Sequence, residues 1–209
     1  MKKLLLLVVL ATACLAVMAA PAYADYFSDM QPGNAYVHPW GGVEPDLAFW
    51  EEVVLNPETK ELDWVMRFDT PIPHGYTVWF AGWMSGWPRL QVALWPVTTR
   101  LDCVLKNPDG SKRCCITAKQ AKQYWGKAFE GWPTETIYQK ETMCWVVAWT
   151  YRLGKLPPGT YTGTGTWTFL APYLNFELPY GSQKKPDVIP ASEWNAANPY
   201  TYHFTVLRK

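Results

Sequence analysis

The chain has 209 residues, with nineteen Lys and Arg against eighteen Asp and Glu, and three histidines. With charge this balanced there is no basic stripe to release counterions from nucleic acid or anionic lipid, so neither is expected as a partner. Thirteen tryptophans stand out, because Trp brings a large apolar area with a polar handle and is enriched at interfaces and ligand platforms.

The first segment reads as an export signal over residues 1–24. Lys2 and Lys3 are followed by the apolar run from Leu4, and Ala22-Tyr23-Ala24 gives a small-x-small cleavage site before Asp25. Pro21 interrupts the run, which is short for a bilayer span, so no transmembrane segment is expected after cleavage. Processing as a lipoprotein at Cys14 ranks second, since the residues ahead of it, Ala11-Thr12-Ala13, lack the usual leucine. The mature chain is expected in the periplasm, outside the cell or at the cell surface.

Residues 25–46 are rich in Pro, Gly and turn formers and read as an extended lead-in. Residues 47–209 read as one domain, long enough to bury a sizeable core. Leu47–Leu55 reads as a strand closed by the turn Asn56-Pro57-Glu58-Thr59. In Glu61–Asp69, Leu62, Trp64, Met66 and Phe68 alternate with Glu61, Asp63 and Arg67, as on a strand with one packed face. Tyr76–Ala81 is the next strand, and Gly82–Pro88 (GWMSGWP) reads as a turn-rich loop. Leu90–Trp95, Arg100–Leu105 and Lys112–Ile116 read as strands, with Pro96 confining the first to an edge or an end.

Four cysteines follow the leader: Cys103, Cys114, Cys115 and Cys144. An even count in an exported chain points to disulfides. The turn Asn107-Pro108-Asp109-Gly110 sets Cys103 opposite Cys115 or, with a loop one residue different, opposite Cys114, leaving the other to meet Cys144. A strained vicinal bridge is the minor alternative. No CxxC pair is present, and no metal or cofactor is expected.

Thr117–Phe129 departs from the β pattern. Ala118, Ala121, Trp125 and Ala128 lie at helical spacing behind a capping Thr117, which predicts one short inserted helix ended by Gly131-Trp132-Pro133. Glu141–Arg152 is apolar on both faces in its middle, as in a strand covered on both sides. In Tyr161–Phe169, tyrosine, glycines, Trp167 and Phe169 alternate with four threonines, and Gly163 and Gly165 are read as making room for a large ring from a facing sheet. Tyr173–Leu178 is a further candidate strand, Lys184–Pro199 a polar loop, and Tyr200–Leu207 a closing strand. Eight or nine short strands with turns between them predict an all-β sandwich.

Leu156-Pro157-Pro158-Gly159-Thr160-Tyr161, running into an alternating strand, resembles the entry to the penultimate strand of immunoglobulin-like and fibronectin-type sandwiches of secreted bacterial proteins. The fibronectin pattern usually places a residue between the threonine and the tyrosine, and this chain does not. The resemblance covers about fifteen residues. It implies an immunoglobulin-like antiparallel β-sandwich in which Tyr161 is the structural corner, hydrogen-bonding back across its turn.

No catalytic motif is found. His38, His74 and His203 stand in three contexts without metal-ligand spacing, and Ser85 lacks the glycines of a nucleophile elbow. Any β-domain can juxtapose two acids, and Glu51 and Glu52 with Asp63 are one arithmetic possibility for a carboxylate pair. Of the tryptophans, Trp64, Trp167 and one of Trp145 and Trp149 are assigned to the core. The loop residues Trp83, Trp87, Trp132 and Trp194 are the binding candidates. Three readings follow: a non-enzymatic module for protein interaction or self-association, a carbohydrate-binding module using the loop tryptophans, and a hydrolase with an unrecognised acid pair.

Overall fold

The computed structural model describes residues 31–38, 49–138, 141–178, 184–196 and 199–209. The expected leader, residues 1–24, lies outside these, as do Trp40 and most of the lead-in. The described chain is mostly β, with three short helices. A six-stranded sheet has the order β3-β2-β1-β4-β8-β7, formed by β1 (Asn34–Val37), β2 (Trp50–Leu55), β3 (Leu62–Arg67), β4 (Thr77–Gly86), β7 (Phe129–Glu135) and β8 (Glu141–Lys155). A four-stranded sheet has the order β12-β9-β5-β6, from β5 (Thr99–Lys106), β6 (Lys112–Ile116), β9 (Gly159–Phe169) and β12 (Tyr200–Val206). β10 (Tyr173–Asn175) and β11 (Asp187–Ile189) form a separate pair. All pairings are antiparallel except β1 with β4, which is parallel.

The period-two alternation explains the core. Ala35, Val37, Trp50, Val78, Phe80, Val147 and Trp149 of the large sheet share one cluster with Leu101, Cys103, Leu105, Tyr161, Trp167, Tyr202 and Phe204 of the small sheet. The alternate residues of the large sheet, Tyr36, Val53, Ala81 and Ala148, form a second cluster on its outer face, with Trp79, Trp83 and Phe129 packed against it. β8 is thus apolar on both faces for the expected reason: both are covered.

Several expectations are corrected. Gly82–Pro88 is not a loop, because β4 continues to Gly86. Gly82 is the register partner of Trp149, and Gly86 sits where a large ring needs space: a Cβ there would stand 2.6 Å from the Tyr173 hydroxyl oxygen. Leu90–Trp95 is not a strand but part of helix α1 (Arg89–Thr98), which turns Val92 and Trp95 into the core at i, i+3 spacing. Its good helix formers Leu90, Gln91, Ala93 and Leu94 outweigh Pro96 near its end.

The expected helix over 117–129 shrinks to α2 (Ala118–Ala121) and a 3-10 turn (Lys122–Tyr124). A capping box joins Thr117 and Gln120 at its start. It stops because the chain is drawn onto β8: Trp125 bridges Trp149, and the Gly126 N–H donates to the Ala148 carbonyl. Gly131-Trp132-Pro133 then lies inside the irregular edge strand β7. The loop 184–199 contains β11 and α3 (Ala191–Asn195).

The expected disulfides are absent: Cys103, Cys114, Cys115 and Cys144 are all free thiols. The register is the reason. The Asn107 N–H donates to the Ser111 carbonyl at 2.8 Å, and an irregularity follows Leu105. Cys103 therefore faces Ile116, Leu105 faces Cys114 and Val104 faces Cys115. Cys103 and Cys114 are diagonal neighbours on the core face, a separation of about 7–8 Å that no disulfide spans. Cys115 is exposed, and Cys144 is buried in the other sheet.

Candidate functional site

The β2–β3 hairpin carries the largest concentration of exposed apolar side chains. Its turn is built by Asn56. The Asn56 Oδ1 accepts from the N–H groups of Glu58 (2.9 Å) and Thr59 (3.2 Å), and its amide donates to Asp63 Oδ2 at 2.8 Å. The resulting register sets Leu55 beside Leu62, Val53 beside Trp64 and Glu51 beside Met66. Val53 belongs to the outer cluster, so Leu62, Trp64 and Met66 lie on the face turned away from the small sheet. Leu55 is 52% exposed, Leu62 47%, Trp64 37%, Met66 49% and Phe68 53%. This corrects the assignment of Trp64 to the core. Periodicity identified an apolar face; β3 lies at the sheet edge, where the outer cluster gives out.

On the opposite face of the hairpin, Arg67 donates from Nε and Nη2 to Glu52 Oε1. Glu51 lies on the outer face, 3.6 Å from His38 Nε2, and both residues are buried. His38 stacks on Phe49 at 4.1 Å and meets Trp83 edge-on at 4.9 Å. Phe49 in turn stacks on Phe68 at 5.9 Å. A row of rings, Phe68–Phe49–His38–Trp83, thus crosses from the exposed edge toward the middle of the sheet.

At the end of that row is an aromatic cleft of about 280 Å³, lined chiefly by Trp83, Ser85, Trp95, Trp167, Trp194 and Tyr200. Trp194 is placed by its neighbour: Asn195 accepts from the Phe169 N–H at 2.8 Å and donates to the Phe169 carbonyl at 3.0 Å. This pins α3 to the end of β9 and stacks Trp194 on Phe169, 5.0 Å away. The four candidate tryptophans are therefore divided. Trp83 and Trp194 meet in the cleft. Trp87 packs against Tyr138 and Phe176, and Trp132 is exposed on β7. Trp95 and Trp167, read as a strand end and as core, complete the cleft walls.

The acids considered as a catalytic pair go to separate partners: Glu51 to His38, Glu52 to Arg67 and Asp63 to Asn56. Consecutive strand residues cannot share a face, which separates Glu51 from Glu52. His203 Nδ1 meets Thr162 Oγ1 at 3.1 Å, a cross-strand contact on the exposed face, and His74 lies in an exposed turn. The half-buried Glu177 has its carboxyl pushed up by burial. Among the described residues no group of three or more His, Cys, Asp and Glu could hold a metal ion, and no helix is long and apolar enough to cross a membrane. Comparison with protein-family models, with curated proteins and with solved structures returned no match.

Proposed function

We propose that this protein is an exported, non-enzymatic β-sandwich that docks another polypeptide through the outer face of its β2–β3 hairpin. The observation that carries the reading is the group of half-exposed apolar residues Leu62, Trp64 and Met66 on the edge strand β3, with Leu55 at the end of β2 and Phe68 just past β3. Apolar side chains gathered in this way favour burial, each contributing about 1.5–3 kcal/mol when fully covered. Export rests on the leader read in residues 1–24. An immunoglobulin-like class is part of the proposal; it is supported by the Tyr161 hydroxyl, which donates to the Pro157 carbonyl at 2.8 Å, and the parallel β1–β4 pair is a departure from it.

A photo-crosslinking side chain at position 68 tests the docking reading, with the exposed Val188 on β11 as the control site. A polypeptide adduct from 68 and none from 188, in the producing cell, is the expected result. A folded protein without an adduct at 68 overturns it.

A second reading is supported by the meeting of Trp83 and Trp194: the cleft accepts a sugar ring by stacking. Oligosaccharides would then quench tryptophan fluorescence in the parent protein and not in Trp194→Ala.

A further inference from the structure

We infer that the aromatic cleft takes one uncharged hexopyranose ring, seated on Trp194 and held at its rim by the backbone of Ser85 and the hydroxyl of Tyr200. The inference rests on the sugar-stacking reading above and names the class of sugar.

The platform is the end of a column of rings. Trp167 and Phe169 lie two residues apart on β9, so they share a face, and they stack at 5.6 Å with 14° between their planes. Trp194 adds a third layer, 5.0 Å from Phe169 at 28°. Trp167 and Phe169 are buried, whereas Trp194 is 38% exposed. Tyr173 meets Trp194 edge-on, and among the described residues no further ring stacks on it. The two bonds from Asn195 to the backbone of Phe169 fix α3 before any ligand arrives. A ring held in this way loses little freedom on binding.

The polar rim follows from strand parity. β1 runs beside β4 only over Thr77–Phe80. The Thr77 N–H donates to the Gly33 carbonyl, so odd-numbered residues of β4 direct their backbone groups toward β1 and even-numbered ones toward β8. β1 ends at Val37, while β4 continues to Gly86. Ser85 lines the cleft, and its N–H and carbonyl point past the end of β1, away from β8. Tyr200 is the register partner of Gly165, two residues before Trp167, so its ring lies on the same face as the column.

Platform and rim together select the ligand. None of the described lining residues is charged, so a carboxylate or an ammonium would lose its water and meet no counter-charge. A purely apolar ring would leave the Ser85 N–H and carbonyl without partners once water is expelled. A neutral pyranose meets both conditions. Its C–H face packs on the indole, and its hydroxyls, each a donor and an acceptor, serve the N–H, the carbonyl and the phenol. The volume of about 280 Å³ is just below the usual small-molecule range of about 300–1,000 Å³, which suits a single ring.

The test uses the protein expressed with its own leader and purified as processed. The probes are methyl β-glucopyranoside and methyl β-galactopyranoside, with methyl β-glucuronide as the charged counterpart and indole as the apolar ring. Saturation-transfer NMR is expected to show at least one neutral glycoside bound through its C–H face, and the glucuronide bound at least about five-fold more weakly. Trp194→Ala is expected to weaken the neutral glycoside at least about ten-fold. Tyr200→Phe removes the hydroxyl and Ser85→Pro the N–H, and each is expected to weaken it about three- to ten-fold. Melting curves check that the variants fold; Tyr200→Phe keeps the rim testable if the proline variant does not. Binding unchanged in Trp194→Ala overturns the inference, as does binding indifferent to the rim variants or indole bound in place of both glycosides. If the glucuronide binds as tightly as the glucoside and is lost in Trp194→Ala, the inference falls and the sugar reading stands. The same holds if oligosaccharides quench the tryptophans but neither methyl glycoside binds. If oligosaccharides do not quench them either, both fall.

Discussion

The ring of Tyr202 lies directly on the backbone of Gly163: a Cβ built there would stand 2.1 Å from the ring carbon Cζ. The two residues are register partners on β12 and β9, so the glycine makes room for a neighbour in its own sheet, not for a ring from the facing one. Because Tyr202 is fully buried, it has nowhere to retreat. Gly163→Ala is expected to cost at least about 2–3 kcal/mol in denaturant unfolding, through overpacking. Combining it with Tyr202→Leu should recover part of that loss, which a purely local effect at 163 would not allow.

Two buried tyrosines in one sheet should respond oppositely to loss of the hydroxyl. Tyr161 donates to the Pro157 carbonyl at 2.8 Å, and its ring stacks on Phe204. Tyr161→Phe removes the bond and keeps the packing, so a loss of about 1 kcal/mol is expected. The Tyr202 hydroxyl is buried without a hydrogen-bond partner among the described residues. Tyr202→Phe should therefore be neutral or stabilise by up to about 1 kcal/mol. Equilibrium unfolding of the two variants side by side settles the sign for each.

The thiols should differ sharply in reactivity. Cys115 is exposed, whereas Cys103 is buried and its thiol is held well above the usual range by burial. Burial also raises Cys114 and Cys144. Timed alkylation of the native protein is expected to label Cys115 first and Cys103 only on unfolding. Equal labelling of all four would show that β5 and β6 do not hold this register.

Glu177 should give stability a dependence on pH. Burial raises its carboxyl pKa, and Oε1 has no hydrogen-bond partner among the described residues. The folded state therefore holds this proton more tightly than the unfolded one. From that group, stability falls as pH rises from the usual carboxylate value of about 4.3 through the raised value, and the cost is full above it. Glu177→Gln is expected to melt higher than the parent at neutral pH, with the difference vanishing below about pH 4. A difference that does not change with pH would mean that the substitution acts through packing.

Most strands were legible because alternation is a local signal. β3, β6 and β12 fall within the stretches marked out in the sequence, and β5, β8 and β9 cover theirs and run past them by a few residues. What failed depended on partners distant in sequence. Gly82 and Gly86 look like loop residues until β4 is paired with β8 and Tyr173 occupies the space above Gly86. The α1 segment has valine and tryptophan for a strand and leucines for a helix, and contact of Val92 and Trp95 with the core decides between them. Trp64 marks the main gap. Its alternation announces an apolar face, but only the order of strands reveals that the face lies at an edge and stays partly exposed. The cleft was half visible, through Trp83 and Trp194. Trp95 and Trp167 join it by helix placement and sheet stacking, which spacing does not encode.

β1 has a consequence for the order in which the chain can fold. It is four residues long, and in the large sheet it alone lies between β2 and β4. It pairs with β4 through Asn34–Thr77, so it must wait for a segment that lies much later in the chain. The β2–β3 hairpin needs only its own turn and can close first, presenting its oily side before the rest of the sheet exists to anchor it. In the finished protein, local opening of β1 would release that hairpin as a unit and draw Ala35, Val37 and Trp50 out of the core between the two sheets. The hairpin is thus joined to the body through the four residues of β1 and the buried Trp50, and how firmly these hold sets how readily its apolar edge can move.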